Sequence, residues 1–328
     1  MTISQNQGIN AGGDKPEISI IVPCYNGSKF IPDCIRSIRA QSFGDYEVLV
    51  INDGSTDDSQ EVFLRETVGD KRFRMLTKKN EGAVTARFHG MDRMQGHYFT
   101  FCDIDDRLRP DALEKLLTAA SDSGADAAVA TFNMVTGRKS RKWNIKSRRW
   151  LPGFEYTRQL MSNRYPWQTW AKLFHRDLYS RETVTLPKDV QIGEDAALTI
   201  QLFLQANRIT VINEAVYDYI QQPGSMMNSG KYRYEDYFRC AEFIEKKLAG
   251  STVYDNMKDY IASFGLLSLS SASRAFGVKD CCRNAGEAVR KYARPQALRN
   301  IPLAKRLYIR YLIGRTARLA TPAGGAPM

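Results

Sequence analysis

The chain has 328 residues, a formal net charge of +11 and a hydrophobic fraction of 43%. This composition is ordinary for a soluble globular protein of one large domain, with or without an appendage, and argues against a disordered chain. No apolar run of about 18 residues lacks polar interruptions, so a membrane-spanning helix is not expected.

The six cysteines form no CxxC pair, and only three histidines accompany them, so a structural zinc site is not expected. Cys24, Cys34 and Cys102 lie in apolar runs, as reduced buried thiols do. A cytoplasmic location is therefore predicted, because secreted chains favour disulfides. Residues 1–17 are polar and lack the apolar stretch of a signal peptide, so they are predicted to be a disordered lead-in.

The first half of the chain alternates short apolar runs with segments of helical spacing. This alternation predicts right-handed βαβ units and an α/β fold with a mostly parallel sheet flanked by helices. The predicted strands are Ile18 to Val22, Tyr46 to Asn52, Phe73 to Thr77 and Tyr98 to Asp103.

Two further strands are predicted at Ala127 to Val135 and at Ile209 to Ile220, with a helix beginning at Gly193 between them. A basic run near Arg138 is predicted to form a hairpin tip after the first of these strands. From about Tyr232 onward the pattern is helical throughout. The predicted organisation is a catalytic domain over 18–230, a basic helical extension over 231–320 and a frayed tail over 321–328.

Three carboxylates, Asp103, Asp105 and Asp106, follow the strand-like run Tyr98 to Phe101. Asp103 and Asp105 are two residues apart, so in an extended chain they point the same way. Like charges aimed at one point repel unless a cation lies between them, and Mg²⁺ or Mn²⁺ bridging substrate phosphates is the usual solution. The alternative is an acidic loop in which Asp106 or Asp111 caps the next helix.

Acidic side chains recur at the ends of the predicted elements: Asp53, the 103–106 cluster and the Glu194–Asp195 pair. In a parallel α/β sheet the carboxyl ends of the strands lie along one edge, where ligands bind. Such an edge can hold a nucleotide and a metal ion and leave one carboxylate free to act as a base.

Six ordered blocks between Pro16 and about Ser225 resemble family two glycosyltransferases with the GT-A fold. The blocks are IVPCYN (Ile21 to Asn26), INDGSTDDS (Ile51 to Ser59), NEGAVTARFHG (Asn80 to Gly90), FCDIDD (Phe101 to Asp106), KLFHRDL (Lys172 to Leu178) and GEDAAL (Gly193 to Leu198). The resemblance implies an inverting enzyme that uses a divalent metal ion, Mn²⁺ or Mg²⁺, and a nucleotide-sugar that is most often a UDP-sugar.

The resemblance also implies roles for particular residues. Tyr25 would stack on the nucleobase, Asp53 would accept a hydrogen bond from it, and Arg87 would lie near the nucleotide or diphosphate. The alternatives are a packed loop aromatic for Tyr25, a helix cap for Asp53 and a solvated helix face for Arg87. The full set of implied donor-binding residues is Pro23, Tyr25, Asn26, Asp53, Arg87, Asp103 and Ser225.

In the same resemblance Asp105 is the direct metal ligand and Asp103 lies beside it near the donor sugar or ribose. Asp195 matches the catalytic base that deprotonates an acceptor hydroxyl, and Glu194 orients the acceptor or the base. The alternative is that Glu194 and Asp195 only favour a helix N-terminus through its dipole.

Two further groups carry open alternatives. Lys172, His175 and Arg176 could approach phosphates or the acceptor, or form surface salt bridges. Trp167 and Trp170 could be sugar-stacking platforms or core residues.

The C-terminal region is basic, since no acidic residue follows Glu287. Ile301 to Arg318 is an imperfect basic amphipathic helix, which could lie on an anionic membrane surface or pack on the catalytic domain or on a second subunit. Membrane contact would suit a saccharide acceptor that is lipid-linked or part of a cell-envelope polysaccharide.

Two other functions were weighed. A nucleotidyltransferase would carry a Gly-rich phosphate loop after its first strand, and PCYNGSKF is not such a loop. A nucleic-acid-binding module could use the basic run around Trp143 and Trp150, but it leaves the ordered acids unexplained, so no nucleic-acid partner is expected.

Overall fold

A computed structural model describes residues 15–185, 187–221 and 232–320, so most of the predicted lead-in and the predicted tail lie outside the described residues. The strands in this part of the chain are β1 Ile18–Cys24, β2 Tyr46–Asn52, β3 Phe73–Thr77, β4 Tyr98–Phe101, β5 Arg107–Leu108, β6 Ala127–Thr136, β7 Lys139–Lys142, β8 Arg148–Leu151, β9 Lys172–His175 and β10 Ile209–Ile220. The α-helices are α1 Ile31–Arg39, α2 Ser59–Glu66, α3 Ala83–Met91, α4 Ala112–Ser123, α5 Gly153–Met161, α6 Glu194–Gln205, α7 Arg239–Leu248, α8 Tyr254–Phe276, α9 Val278–Asn284, α10 Gly286–Tyr292, α11 Pro295–Asn300 and α12 Leu303–Ala320.

The strands form one sheet in the order β3-β2-β1-β4-β9-β6-β10-β5, with β7 beside β6 and β8 beside β10. The first four strands in this order are parallel, and every residue of β1 and β2 is buried. Continuous β-branched and apolar runs produce such strands because helices cover both faces of the sheet. The carboxyl ends of β1, β2 and β4 consequently lie at one edge.

The second half of the sheet is mixed. Strand β9 runs antiparallel between β4 and β6, whereas β6 and β10 are parallel to each other. Strand β7 folds back on β6, with Asn133 opposite Lys142 and Thr136 opposite Lys139, so the predicted hairpin of the basic run is confirmed. The predicted α/β class with a mostly parallel sheet is confirmed, and the antiparallel strand β9 is a part that periodicity did not predict.

Two apolar layers cover the sheet. Helices α1, α2 and α4 bury their inner faces in one layer, and α3, α5 and α6 bury theirs in the other. The C-terminal helices have a third cluster of their own, which includes Ile309 and Leu312 of α12 and Leu266 and Leu269 of α8. Strands therefore end at β10 and helices follow, although the division near residue 230 remains a prediction.

No helix in the described part of the chain is long and apolar enough to cross a membrane.

Candidate active site

The loop after β4 carries three acids at the edge of the sheet, and their surroundings differ. Asp106 is buried, and its carboxylate accepts hydrogen bonds from the Tyr217 hydroxyl (2.9 Å) and from the Ile220 backbone N–H (2.7 Å). Burial and the charge of Asp103 raise the pKa of Asp106 well above its usual value. Asp106 therefore fastens the loop to β10. The alternative of a helix cap is wrong, because no side chain caps α4.

Asp103 and Asp105 lie in the same loop and, unlike Asp106, are partly exposed. The backbone N–H of Asp103 donates to the Tyr217 hydroxyl at 3.0 Å, which fixes the loop where β4 ends. Burial and the negative charge of Asp103 raise the pKa of Asp105, while the charge of Lys29 acts in the opposite direction, and no ion pair to Asp105 occurs among the described residues. Asp105 is thus a carboxylate whose charge the protein leaves largely uncompensated, which fits a ligand for an added cation.

Arg87 on α3 connects this loop to the predicted base. Its Nη2 donates to Asp103 Oδ1 at 2.7 Å, and its Nη1 lies 2.8 Å from Asp195 Oδ1. The side chain is only 4% exposed, so the alternative of a solvated helix face is wrong. The Asp195 contact is an ion pair without hydrogen-bond geometry, and Arg87 Nε has no partner within the described residues.

Glu194 and Asp195 begin α6 directly after Gly193, whose φ of 81° is in the left-handed region that favours glycine. Burial and the charge of Asp195 raise the pKa of Glu194 to about 7. Burial also raises the pKa of Asp195, while Arg87 pulls it in the opposite direction. The helix N-terminus alone does not explain this pair, because Asp195 is directed at a buried cation.

The loop after β1 holds the predicted base-stacking residue. Tyr25 is half exposed, so its ring is available to a ligand. Asn26 has a left-handed φ of 49°, and its side-chain Oδ1 accepts a hydrogen bond from the Thr56 N–H at 2.8 Å. Pro23 lies in β1 opposite Ile51 of β2, where it sets the path of the strand into this loop. The loop is held by the chain segment that follows β2.

Asp53 is buried, and its carboxylate is already engaged by protein groups. It accepts hydrogen bonds from Lys78 Nζ (2.7 Å), the Glu81 N–H (3.1 Å) and the Gly82 N–H (2.7 Å). The last two donors immediately precede α3, so Asp53 holds the start of that helix from the end of β2. The cap alternative and a base-reading role remain compatible, because a carboxylate can accept further hydrogen bonds.

Several residues that were predicted to contact a ligand are instead engaged by other parts of the protein or lie outside the described residues. Lys172 is fully buried, so the expectation of a surface salt bridge is wrong for it. Arg176 donates to the carbonyls of Gln95 and Gly96. Trp170 is buried and stacks on Tyr217 with ring centroids 4.5 Å apart, so it is a core residue. Ser225, predicted to bind the donor, lies outside the described residues.

Two contributors have structural roles that the sequence did not predict. The Tyr217 hydroxyl accepts a hydrogen bond from the Asp103 N–H and donates one to Asp106, and no local pattern along β10 indicates this pairing. Gly27 is the other: a Cβ there would lie 2.9 Å from Cys24 Sγ and 3.2 Å from Ile104. The Asn-Gly pair after β1 was the available signal, since glycine marks close approach of backbone segments.

A mixed α/β sheet with polar loops after β1 and β2, an acidic loop after β4 and a partly buried acid pair at the start of α6 is the arrangement of the GT-A class of proteins. The chain belongs to glycosyl transferase family 2, whose model matches residues 19–182. The match contains the whole of the first five of the six sequence blocks, and Asp195 lies beyond it.

Curated relatives agree with this assignment. The chain is 30% identical over 216 residues to the uncharacterized glycosyltransferase EpsJ of Bacillus subtilis, over 64% of this chain and 63% of that protein. It is 25% identical over 266 residues to the poly(ribitol-phosphate) beta-N-acetylglucosaminyltransferase TarS of Staphylococcus aureus, over 80% of this chain and 45% of TarS. The chain thus spans less than two thirds of these relatives.

Solved structures share the fold. The structure of S. aureus TarS 1–349 in complex with UDP-GlcNAc has a TM-score of 0.74 at 18% identity, over 92% of this chain and 89% of that one. The mannosyltransferase PcManGT from Pyrobaculum calidifontis, in complex with GDP-Man and Mn²⁺, has a TM-score of 0.56 at 15% identity, over 93% of this chain and 87% of that one. The predicted GT-A fold is confirmed.

Proposed function

We propose that the protein is an inverting glycosyltransferase that transfers a sugar from a UDP-sugar to a hydroxyl of a saccharide or lipid-linked acceptor in cell-envelope polysaccharide synthesis. The observation that carries this proposal is the Arg87 guanidinium, which contacts both Asp103 and Asp195 at the ligand edge of a family 2 sheet. A single guanidinium thereby connects Asp103, which would lie beside the donor, to Asp195, which would be the base.

The donor would bind across the loops after β1, β2 and β4. The half-exposed ring of Tyr25 offers a stacking surface for the nucleobase, and stacking of this kind contributes roughly 1–3 kcal/mol. Asp53 would read the base while still holding the start of α3. The UDP-GlcNAc bound by TarS and the GDP-Man bound by PcManGT support a nucleotide-sugar as donor.

A divalent metal ion, Mn²⁺ or Mg²⁺, would be held by Asp105 and Asp103. Within the described ranges no group of three or more His, Cys, Asp or Glu side chains could hold a metal ion, so donor phosphates would complete the ligand set. The uncompensated charge of Asp105 supports this assignment. When bound, the ion would neutralise charge on the departing nucleotide. The Mn²⁺ in PcManGT is consistent with it.

Asp195 would act as the general base. It would take the proton of the acceptor hydroxyl as that oxygen attacks the anomeric carbon from the face opposite the diphosphate. The C–O bond to the acceptor forms while the bond to the diphosphate breaks, so the configuration inverts. Arg87 favours the ionised form of Asp195 against its burial, and a base of this kind contributes roughly 10²- to 10⁴-fold. Glu194, beside it, would orient the acceptor.

The C-terminal helices would bring the enzyme to a membrane-linked acceptor from the cytoplasmic face. In α12, Ile309 and Leu312 are buried against the neighbouring helices. Leu303, Leu307 and Tyr311 are exposed on the other side of the helix, together with basic residues such as Arg310. Exposed apolar side chains with cations suit an anionic lipid surface. Association of two chains through this face is the competing use.

The decisive experiment incubates the purified chain with a panel of nucleotide-sugars, with and without Mn²⁺, and measures release of the nucleoside diphosphate. Release from a UDP-sugar that stops on chelation is the expected result. Release that survives chelation would remove the metal role of Asp105. A chain that neither turns over nor binds any donor would contradict the proposal.

The membrane assignment has a separate test. Replacing Leu303, Leu307 and Tyr311 together by serine leaves the buried side of α12 intact. Flotation with vesicles containing anionic lipid should then be lost, whereas a matched triple change at exposed Ala304, Ala317 and Val68 should retain it. Unchanged flotation would favour association between chains, which sedimentation would detect.

A further inference from the structure

The hairpin of β6 and β7 and the segment that follows it carry a group of cations that the proposed function leaves unused. Seven basic residues and no acidic one lie between Asp126 and Glu155. All seven are exposed, and none forms an ion pair with another residue in the part of the chain that the structure describes. Clustered like charges repel one another, and an anionic partner relieves that repulsion.

The turn of this hairpin lies at the ligand edge of the sheet. Strand β9 runs antiparallel to both β4 and β6, so β4 and β6 run in the same direction and end at the same edge. Thr136 is paired with Lys139, which leaves a two-residue turn. Gly137, the first residue of the turn, has a φ of 57°, which glycine adopts without strain. The basic run therefore begins at the edge that carries the acidic loop after β4.

A hydrogen bond and the strand register connect the acidic loop to the hairpin through β10. The Ile220 N–H donates to the Asp106 carboxylate at 2.7 Å, and Ile220 is opposite Val135 of β6. Val135 is in turn opposite Ser140 of β7. Neighbouring strands lie roughly 4.8 Å apart, so β7 lies roughly 10 Å from the strand that holds the acidic loop. A polymer whose reacting unit lies at the acidic loop would reach β7 with its neighbouring units.

Two of the cations project from the same face of the sheet as the tyrosine that holds the acidic loop. Arg141 and Tyr219 are both opposite the same residue of β6, and residues opposite each other project from one face. Tyr217 lies two residues before Tyr219, and its hydroxyl accepts a hydrogen bond from the Asp103 N–H at 3.0 Å. Lys139 lies two residues before Arg141 and shares its face.

Aromatic rings continue this face from the hairpin towards the acidic loop. Trp143 directly follows β7, is 43% exposed and stacks on Phe132 with ring centroids 5.8 Å apart. Phe132 meets Trp170 edge-on at 4.7 Å, and Trp170 stacks on Tyr217 at 4.5 Å. An exposed indole beside cations offers a flat apolar face on which a sugar ring can pack.

We propose that the β6–β7 hairpin binds the acceptor and that this acceptor is an anionic polysaccharide, with phosphate or carboxylate groups on its repeating units, an assignment that rests on the proposed glycosyl transfer. The cations offset the repulsion that such a polymer meets from Asp103, Asp105 and the donor diphosphate. A membrane-bound surface combines cations with a continuous apolar face, whereas residues 137–150 expose only Trp143 and Trp150 among their large apolar side chains.

Binding of polysaccharides with one backbone and different charge tests the proposal without requiring turnover. The full chain is titrated into fluorescently labelled dextran, carboxymethyl dextran and dextran phosphate at low and high salt, and anisotropy reports binding. The expected result is salt-dependent binding of one or both anionic dextrans, and no binding of neutral dextran. The anionic dextran that binds more tightly identifies the charged group. Equal binding of all three, or binding of none, would overturn the proposal.

Matched charge variants locate the surface. Lys139→Gln combined with Arg141→Gln should raise the Kd for the anionic dextran roughly 5- to 30-fold, because each exposed ion pair contributes a modest amount. The control, Lys71→Gln combined with Lys279→Gln, removes two exposed cations elsewhere and should leave the Kd within about twofold. All four side chains are exposed, so both double variants should fold. Equal losses in the two would show that net charge alone attracts the polymer, and would overturn the proposal.

Two further measurements separate the competing partners. Single-stranded DNA with the same number of charges should bind more weakly than the anionic dextran, and equal or tighter binding would assign the hairpin to nucleic acid instead. Flotation with anionic vesicles should be unchanged by Lys139→Gln combined with Arg141→Gln, and its loss would assign the hairpin to the membrane.

The same measurements distinguish this inference from the proposed function. If the anionic dextran binds at the hairpin but the chain neither binds nor turns over any nucleotide-sugar, the proposed function fails and the polysaccharide-binding surface stands. If the chain turns over a nucleotide-sugar but the hairpin variant binds the dextran as wild type does, the hairpin inference alone fails.

Discussion

Arg87 Nη1 lies 2.8 Å from Asp195 Oδ1 in a setting from which solvent is largely excluded. The same guanidinium donates to Asp103 from its other terminal nitrogen, so the two acids are linked across the site without touching each other. Arginine suits this position because its planar fork presents several donors at fixed angles, whereas lysine offers a point charge.

Removal of the Arg87 charge should affect both stability and turnover. Arg87→Met leaves two partly buried carboxylates without their buried cation, and the loss of one member of a buried pair costs roughly 3–5 kcal/mol. Urea unfolding at pH 7.5 would measure this against Arg36→Met, whose pair with Asp33 is exposed and whose removal should be close to neutral. Equal urea-unfolding midpoints for the two variants would contradict a stabilising role for the contacts of Arg87 with Asp103 and Asp195.

Glu194 should make stability depend on pH. Its pKa in the folded protein is about 7, above the ordinary 4.5, so above pH 4.5 the unfolded chain loses the proton before the folded chain does. The free energy of unfolding therefore falls progressively as the pH rises from about 4.5 to 7, and this loss of stability is complete above pH 7. Glu194→Gln should raise the free energy of unfolding at pH 8 by roughly 1–3 kcal/mol and leave it unchanged at pH 4. Glu182→Gln, an exposed glutamate, is the control, and an identical pH profile for the two variants would refute the raised pKa.

Asp195→Asn should separate chemistry from donor binding. The amide keeps the shape of the side chain but cannot accept the acceptor proton, so transfer should fall roughly 10²- to 10⁴-fold. Calorimetric affinity for UDP should change little, and Asp189→Asn on the exposed loop ahead of α6 should have full activity. Loss of UDP affinity together with transfer would argue that Asp195 is not a base.

Asp105→Asn should weaken Mn²⁺ binding more than UDP binding. In the presence of UDP, electron paramagnetic resonance of Mn²⁺ would report the bound fraction, which should fall because a hard cation prefers a carboxylate over an amide. Asp122→Asn on α4 provides a matched exposed control. Equal Mn²⁺ binding in the two variants would rule out Asp105 as a ligand.

Tyr25→Ala should lower affinity for UDP without lowering stability, because the ring is half exposed in the free protein. Loss of a stacked base corresponds to roughly 1–3 kcal/mol, about a 5- to 150-fold rise in Kd. Tyr25→Phe retains the stacking surface and should bind as wild type does. A large fall in the unfolding midpoint of Tyr25→Ala would instead support the packed-loop alternative.

The α/β class and the positions of the main strands could be predicted from sequence, because buried parallel strands and amphipathic helices have characteristic local patterns of apolar residues. The short strand β9 could not, since its register between β4 and β6 depends on partners far along the chain. The different roles of Asp103, Asp105 and Asp106 could be predicted only in part from the sequence. Asp106 is committed to β10 by Tyr217, more than a hundred residues away.

The sequence by itself determined which residues could form the candidate site. These are the acids at the strand ends, an aromatic residue after β1, and the Glu194–Asp195 pair at the start of a helix. Their type and order follow from local chemistry. Only the tertiary structure decided that the side chains of Arg87 and Lys172 are buried and that Arg87 pairs with Asp195. The physical reason is that burial and charge pairing depend on distances through space, which spacing along the chain does not encode.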